Sequence, residues 1–215
     1  VPLVRPRRAF LRLLAHQLGA PSGPLGTIVA RRLNAGNHDS MVAAVAALEL
    51  AGGERVADVG FGGGAALGLL LTAIGPAGSV HGVDPSASMV ERARKTYAAD
   101  VASGRLEVHR AGVESLPLPD ASLDGWMSLN TIYFVEDLTT AFAELARVLA
   151  PGGRGVLGVA DPDMMVGLPF TEHGFRLRPV SAIVAALESA ALSVEVRQVA
   201  DDEAPFRLLV CTLRS

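Results

Sequence analysis

With 215 residues, half of them apolar, the chain is long enough to bury the core of one generous domain and short for two. Its 19 basic and 22 acidic side chains leave a net charge of −3, which gives no general positive field to collect nucleic acid or anionic lipid. One cysteine, Cys211, excludes an intramolecular disulfide or a cysteine-rich zinc centre, and no run reaches the ~18 unbroken apolar residues of a membrane span.

Residues 8–19 read as a short amphipathic helix, with Phe10, Leu13, Leu14 and Leu18 near helical spacing and Arg5, Arg7, Arg8 and Arg12 as a solvated basic face. Arg12 and His16 interrupt any signal-like apolar segment, so a cytoplasmic protein is expected. A helix over 28–33 follows, and another begins near Asn37, a capping residue, with Met41, Val45 and Leu48 on one side. Gly52 and Gly53 end it. Residues 1–50 are expected to form a helical lid over the mouth of a single domain whose α/β core spans 51–215.

From Arg55 onward the pattern alternates between short apolar strands and amphipathic helices. The strands are Val56–Val59, Val80–Val83, Leu106–His109, Leu123–Leu129 and Val156–Val159. The helix after the second strand carries Met89, Val90, Ala93 and Tyr97 inward, and a last helix starts with Pro179 in its first position. The runs Val194–Val199 and Phe206–Leu213 have only a polar turn between them, so they should pair antiparallel. The expected fold is a doubly wound, Rossmann-like α/β domain. Its seven-stranded, mostly parallel sheet ends in a C-terminal antiparallel hairpin and carries helices on both faces.

The sharpest local signal is Asp58-Val-Gly-Phe-Gly-Gly-Gly64 between a strand and a helix. Gly60, Gly62, Gly63 and Gly64 allow tight turning and close approach of a ligand to the backbone around Phe61. Asp84 ends the neighbouring strand, where a carboxylate can accept from both hydroxyls of a ribose. Gly60, Gly62 and Ala65 also satisfy the loose dinucleotide pattern, which leaves a nicotinamide cofactor open. Asp58 favours a ligand with a cationic amino group, since a carboxylate before the loop would repel a pyrophosphate.

Four ordered blocks then resemble the class I methyltransferases of the ubiquinone-biosynthesis type, the methyltransferase type 11 group. They are Val56-Ala-Asp-Val-Gly-Phe-Gly-Gly-Gly64, Val80-His-Gly-Val-Asp-Pro-Ser-Ala-Ser-Met-Val90, Glu114-Ser-Leu-Pro-Leu-Pro-Asp-Ala-Ser-Leu-Asp124 and Glu144-Leu-Ala-Arg-Val-Leu-Ala-Pro-Gly-Gly153. The resemblance implies S-adenosylmethionine as cofactor and S-adenosylhomocysteine as product. It implies that Gly60, Gly62 and Gly64 border the methionine part with Asp58 near its amino group, that Asp84 takes the ribose, and that Pro85, Ser86 and Met89 border adenine. Asn130 would meet the cofactor's amino acid end or the substrate. The family commonly has an aspartate where this chain has Gly112; Val113 N–H can still serve adenine, with Glu114 approaching its amine from another direction.

Methyl transfer needs alignment, exclusion of water and, for some acceptors, a base. His173 is the leading candidate for that base, with Tyr133 and His38 in reserve, and residues 161–178 are expected to help enclose a small-molecule acceptor. No nucleic-acid or membrane partner is expected, and the oligomeric state, monomer or homodimer, is left open. The five histidines are scattered in sequence and Asp161-Pro-Asp163 is the nearest carboxylate pair, so no metal is expected. A metabolite-binding protein without turnover and an NAD(P)-linked oxidoreductase are the alternative readings.

Overall fold

A computed structural model of the chain describes residues 38–166, 171, 172, 174–199 and 206–214. The helices expected over 8–19 and 28–33 lie outside the described residues, as does Asn37. The described chain begins with α1 (His38–Ala47), then β1 (Arg55–Val59), α2 (Ala65–Ala73), β2 (Ser79–Val83), α3 (Ala87–Thr96), α4 (Ala98–Ala102), β3 (Leu106–His109) and β4 (Leu123–Leu129). A 3₁₀ turn (Ile132–Phe134) leads to α5 (Leu138–Val148), β5 (Leu149–Ala160), α6 (Pro162–Met165), α7 (Val180–Ser189), β6 (Leu192–Val199) and β7 (Phe206–Leu213).

The seven strands form one sheet in the order β3-β2-β1-β4-β5-β7-β6. Six run the same way and β7 runs against them, paired antiparallel to both β5 and β6. The hairpin expected from the last two apolar runs is present. Strand order reverses between β1 and β4, so their carboxyl ends diverge into a crevice.

Period-two alternation divides the strand side chains between two cores. Val56, Val80, Met127, Val156, Leu208 and Val210 meet α1, α2 and α3 on one face. Ala57, Val83, Trp126, Leu157, Leu209 and Cys211 meet α5 and α7 on the other. Cys211 is the small buried strand residue that its apolar neighbours imply, and burial pushes its thiol up to about 12.

Three expectations change. Residues 38–48, assigned to a lid, form part of the first core: Met41, Ala44, Ala47 and Leu48 are buried there, because the small face of α1 can lie close against α2 and the sheet. Strand β5 starts at Leu149 rather than Val156. Leu149 pairs with Leu123 and Arg154 with Gly125, so Pro151-Gly152-Gly153 bulges inside the strand instead of ending before it. Pro179 is extended (ψ 143°) and caps α7 from outside its first turn.

Motif-bearing loops are fastened by charge. Glu144 on α5 accepts from Leu116 N–H at 2.8 Å, and Arg147 donates to the carbonyls of Leu116 and Leu118 at 3.1 and 2.9 Å while pairing with Glu144 and Asp120. The third and fourth sequence blocks are therefore one unit, a loop held by a guanidinium. No helix among the described residues is long and apolar enough to cross a membrane.

Gly155 sits opposite Trp126 in the β4–β5 register, and a Cβ there would fall inside the buried indole. Gly155→Ala should lower unfolding free energy by about 1–3 kcal/mol, the usual cost of overpacking a filled core. Urea denaturation followed by Trp126 fluorescence measures it; an unchanged midpoint would mean that the two strands separate without cost.

Candidate functional site

The crevice is built on the exits of β1, β2 and β4. After Val59 the chain turns back over β2: Gly60 N–H donates to Val83 C=O at 2.7 Å, and Gly64 N–H to Phe61 C=O at 2.9 Å. Gly60, Gly62 and Gly64 have φ of 80°, 49° and 77°, a region that side chains with a Cβ seldom occupy. Gly60 is doubly constrained, because a Cβ would overlap the side chain of Thr131 at the β4 exit. At Gly62 the only atom of the described residues within 4 Å of a Cβ, beyond its chain neighbours, is Gly60 C=O at 3.9 Å, so among these residues the loop is open on that side. Phe61 turns its ring into the first core beside Gly82 and leaves only backbone to the crevice. Tyr97, at the break between α3 and α4, donates its hydroxyl to Gly64 C=O at 2.7 Å and holds the loop from behind.

Two carboxyls stand beneath this loop. Asp84 at the β2 exit is buried, with Oδ2 accepting from Gly62 N–H and Oδ1 from Ser86 N–H, both at 2.8 Å. A carboxylate offers about four lone-pair directions, so Asp84 retains capacity for two more donors. Asp58, on the central strand, is also buried, and its Oδ2 has no hydrogen-bond partner among the described residues. Burial, and then the charge of Asp84, pushes the Asp58 carboxyl up to about 8.

A third acceptor completes the set. Asn130, just past β4, is held at φ 57°, and its buried Oδ1 likewise lacks a partner among the described residues. Its own N–H bonds Gly158 C=O at 2.8 Å, which fixes the strained backbone to β5. On the β3 side, Val113 is buried, and Glu114 Oε2 lies 3.0 Å from where a Cβ on Gly112 would stand. The Glu114 carboxylate thus fills the space that a side chain at 112 would enter. Ser86 occupies the cap position of α3, Met89 is buried in the first core, and Pro85 is exposed with its carbonyl 3.3 Å from Arg110 Nε.

The candidate bases fare differently. Tyr133 is buried and donates its hydroxyl to Ala160 C=O at 3.2 Å. Burial pushes its phenol well above the ordinary range, so at neutral pH it is a neutral donor and unsuited to accept a proton. His38 is exposed at the first residue of α1, and His173 lies outside the described residues. Asp161 is committed to an ion pair with Arg207 at 2.8 Å.

Sequence spacing gave no hint of the clamp at the β4 exit. Arg178 donates to the carbonyls of Ile132 and Val135 at 3.1 and 2.8 Å, and Arg176 N–H to Tyr133 C=O at 2.8 Å. Phe175 packs edge-on against Phe134 and tilted against Tyr133, with ring centres 4.7 and 5.9 Å away. The segment 174–178 is thereby pinned to the β4 exit.

Asp58 makes stability depend on pH. Its unfolded value is near 3.8 and its folded value about 8, so the folded chain holds a proton that the unfolded chain has lost. Between those values stability should fall as pH rises, by about 1.4 kcal/mol per pH unit for a single proton. Melting temperatures of the cofactor-free protein from pH 5.5 to 8 should decline, and Asp58→Asn should flatten the decline. Parallel curves for the two proteins would show that Asp58 does not titrate in this window.

Comparison with known proteins agrees with this construction. Residues 57–157 match the family described as "Methyltransferase domain". An O-methyltransferase of Pyrenophora dematioidea is 33% identical over 74% of this chain and 56% of its own. The 27-O-demethylrifamycin SV methyltransferase of Amycolatopsis mediterranei is 38% identical over 52% of this chain and 40% of its own. A crystal structure of an S-adenosylmethionine-dependent methyltransferase from Aquifex aeolicus superposes with a TM-score of 0.71 at 22% identity, covering 86% of this chain and 97% of that one, a likeness of fold. The chain spans about half the length, or less, of the curated relatives it matches. Matched residues, sheet order and the glycine loop over β2 together make this chain similar to the class I S-adenosylmethionine-dependent methyltransferases.

Proposed function

We propose that the crevice binds S-adenosylmethionine and that the domain transfers its methyl group to a small-molecule acceptor, releasing S-adenosylhomocysteine. The observation that carries this reading is the pair of buried oxygens without donors among the described residues, Asp58 Oδ2 and Asn130 Oδ1, at the exits of adjacent strands. Buried acceptors left unmatched are costly, so their natural complement is a ligand rich in N–H donors. The cofactor's ammonium group is such a donor, and a cation at Oδ2 would favour ionised Asp58. When bound, S-adenosylmethionine supplies a methyl group on a positively charged sulfur, already activated for displacement.

The chain's own residues then have positioning work to do. Gly60 and Gly62 offer backbone without a Cβ, Asp84 uses its two remaining lone-pair directions for the ribose, and Pro85, Ser86 and Met89 border adenine. Glu114 takes over the acceptor role that Gly112 lacks, beside Val113 N–H. On the acceptor side Phe175 and Met165 give apolar walls, and the clamp by Arg178 fixes one of them. His173 is the proton acceptor where the substrate needs one. The naming of several relatives as O-methyltransferases supports a hydroxyl-bearing small molecule as acceptor.

Calorimetry with S-adenosylhomocysteine, and separately with NAD(H), tests the cofactor. The wild type should bind the former and not the latter. Asp84→Ala should lose about 1.5–3 kcal/mol of S-adenosylhomocysteine affinity, from charge-assisted bonds and from release of the Gly62 amide. Equal dissociation constants for a folded variant, or preference for the dinucleotide, would overturn the reading.

For the base, single-turnover methyl transfer to an identified acceptor is compared across pH. His173→Ala should be slower by roughly 10²–10⁴-fold at neutral pH and lose the acidic limb, with cofactor binding intact. An unchanged rate and profile removes His173 from the mechanism.

A further inference from the structure

Two of the five histidines that are scattered in sequence meet in the sheet. His81 on β2 and His109 on edge strand β3 lie on the same face as Glu107, because parallel pairing sets His81 opposite Glu107 and Val83 opposite His109. His81 Nδ1 and His109 Nε2 are 3.3 Å apart, and Glu107 Oε2 lies 3.8 and 3.7 Å from them. The rings are stacked, with an interplanar angle of 27° and centres 5.6 Å apart.

We propose that His81 Nδ1, His109 Nε2 and Glu107 Oε2 bind one divalent transition-metal ion of the zinc class at the edge of the sheet. In the plane of three atoms with these separations, the equidistant point lies about 2.1 Å from each, within the ~2.0–2.2 Å range of zinc bonds to imidazole nitrogen and carboxylate oxygen. A mutual hydrogen bond between the imidazoles accounts for the 3.3 Å contact alone. It leaves unexplained a carboxylate oxygen beyond hydrogen-bond reach of both nitrogens yet nearly equidistant from them. Two imidazoles and one carboxylate are a donor set suited to zinc, copper or nickel and poorly suited to magnesium.

The electrical surroundings are consistent with a site of moderate strength. Burial first, and nearby Arg55 and Arg94 in addition, hold the two imidazoles below their ordinary range, so both are neutral and able to ligate at pH 7; Glu107 acts the other way on each. The same two guanidiniums oppose an added cation. Arg55 is paired with Asp124, Arg94 donates to Val108 C=O at 2.6 Å, and Glu107 contributes the compensating charge. Glu107 is 60% exposed, so a fourth position faces solvent and can hold water. An ion here would cross-link β2 to the edge strand that leads into residues 110–114, the adenine side of the crevice.

The test is titration of chelator-treated protein with zinc chloride by calorimetry, with cobalt(II) absorption as a probe of coordination geometry. The wild type should bind one zinc ion, and its melting temperature should rise on binding. His81→Gln/His109→Gln should weaken that event at least 10-fold and abolish the thermal shift, while S-adenosylhomocysteine binding stays intact. Glu107→Gln, at an exposed side chain that folding does not need, should weaken zinc about 10-fold and decides the matter if the double variant does not fold. No zinc binding by the wild type, or unchanged binding by these variants, overturns the proposal; the second result would assign the ion to His16, His38 or His173.

Discussion

A carboxyl buried in the central strand of a sheet is an expensive arrangement, and the crevice depends on it. Asp58 faces the first core by strand alternation, with Asp84 close enough to raise the cost of its charge. That carboxyl is buried, yet its Oδ2 has no donor among the described residues. A chain selected only for stability would carry an apolar residue there. The cost is intelligible if the group is reserved for a donor that arrives from outside.

The glycine loop answers a different constraint. Its turn is so tight that Gly60 lies against Thr131, which ties the exits of β1 and β4 together. Asp84 reaches across from β2 to Gly62 N–H, so this buried carboxyl also shapes the loop. Tyr97 closes the arrangement from the helix side. Support of this kind, from outside the contact layer, is what holds a binding group to within fractions of an ångström.

The two walls of the crevice are held by arginines in the same way. Arg147 gathers the carbonyls of the loop after β3, and Arg178 gathers those of the turn after β4. A guanidinium has five donors in a planar fork and can satisfy several carbonyls that irregular backbone would leave unpaired. Each wall is a loop made rigid by one cation, which explains how long connections without regular structure can form a defined site.

Much of this was written in local sequence. Alternation of apolar residues specified the strands and their two faces, the glycines at 60, 62 and 64 specified the turn, and the absence of a helix between the last two runs specified the hairpin. These features depend on neighbours within a few residues, where periodicity and backbone sterics act directly. What local pattern could not supply was partnership across the sheet. Tyr133 reads as a phenol at the mouth, but only packing shows its hydroxyl committed to Ala160. Residues 38–48 read as a lid until their small face is seen against α2. Glu114 stands in for a side chain missing at 112 only because the loop folds back on itself. His81 and His109 are 28 residues apart in sequence and meet because parallel strands 4.8 Å apart, on the order of any sheet spacing, align positions that no linear motif connects. The sequence by itself determined most of the elements and the glycine loop; the tertiary structure decided which polar groups are spent on each other and which stay unmatched among the described residues, because that depends on distances the chain acquires only when its strands pair.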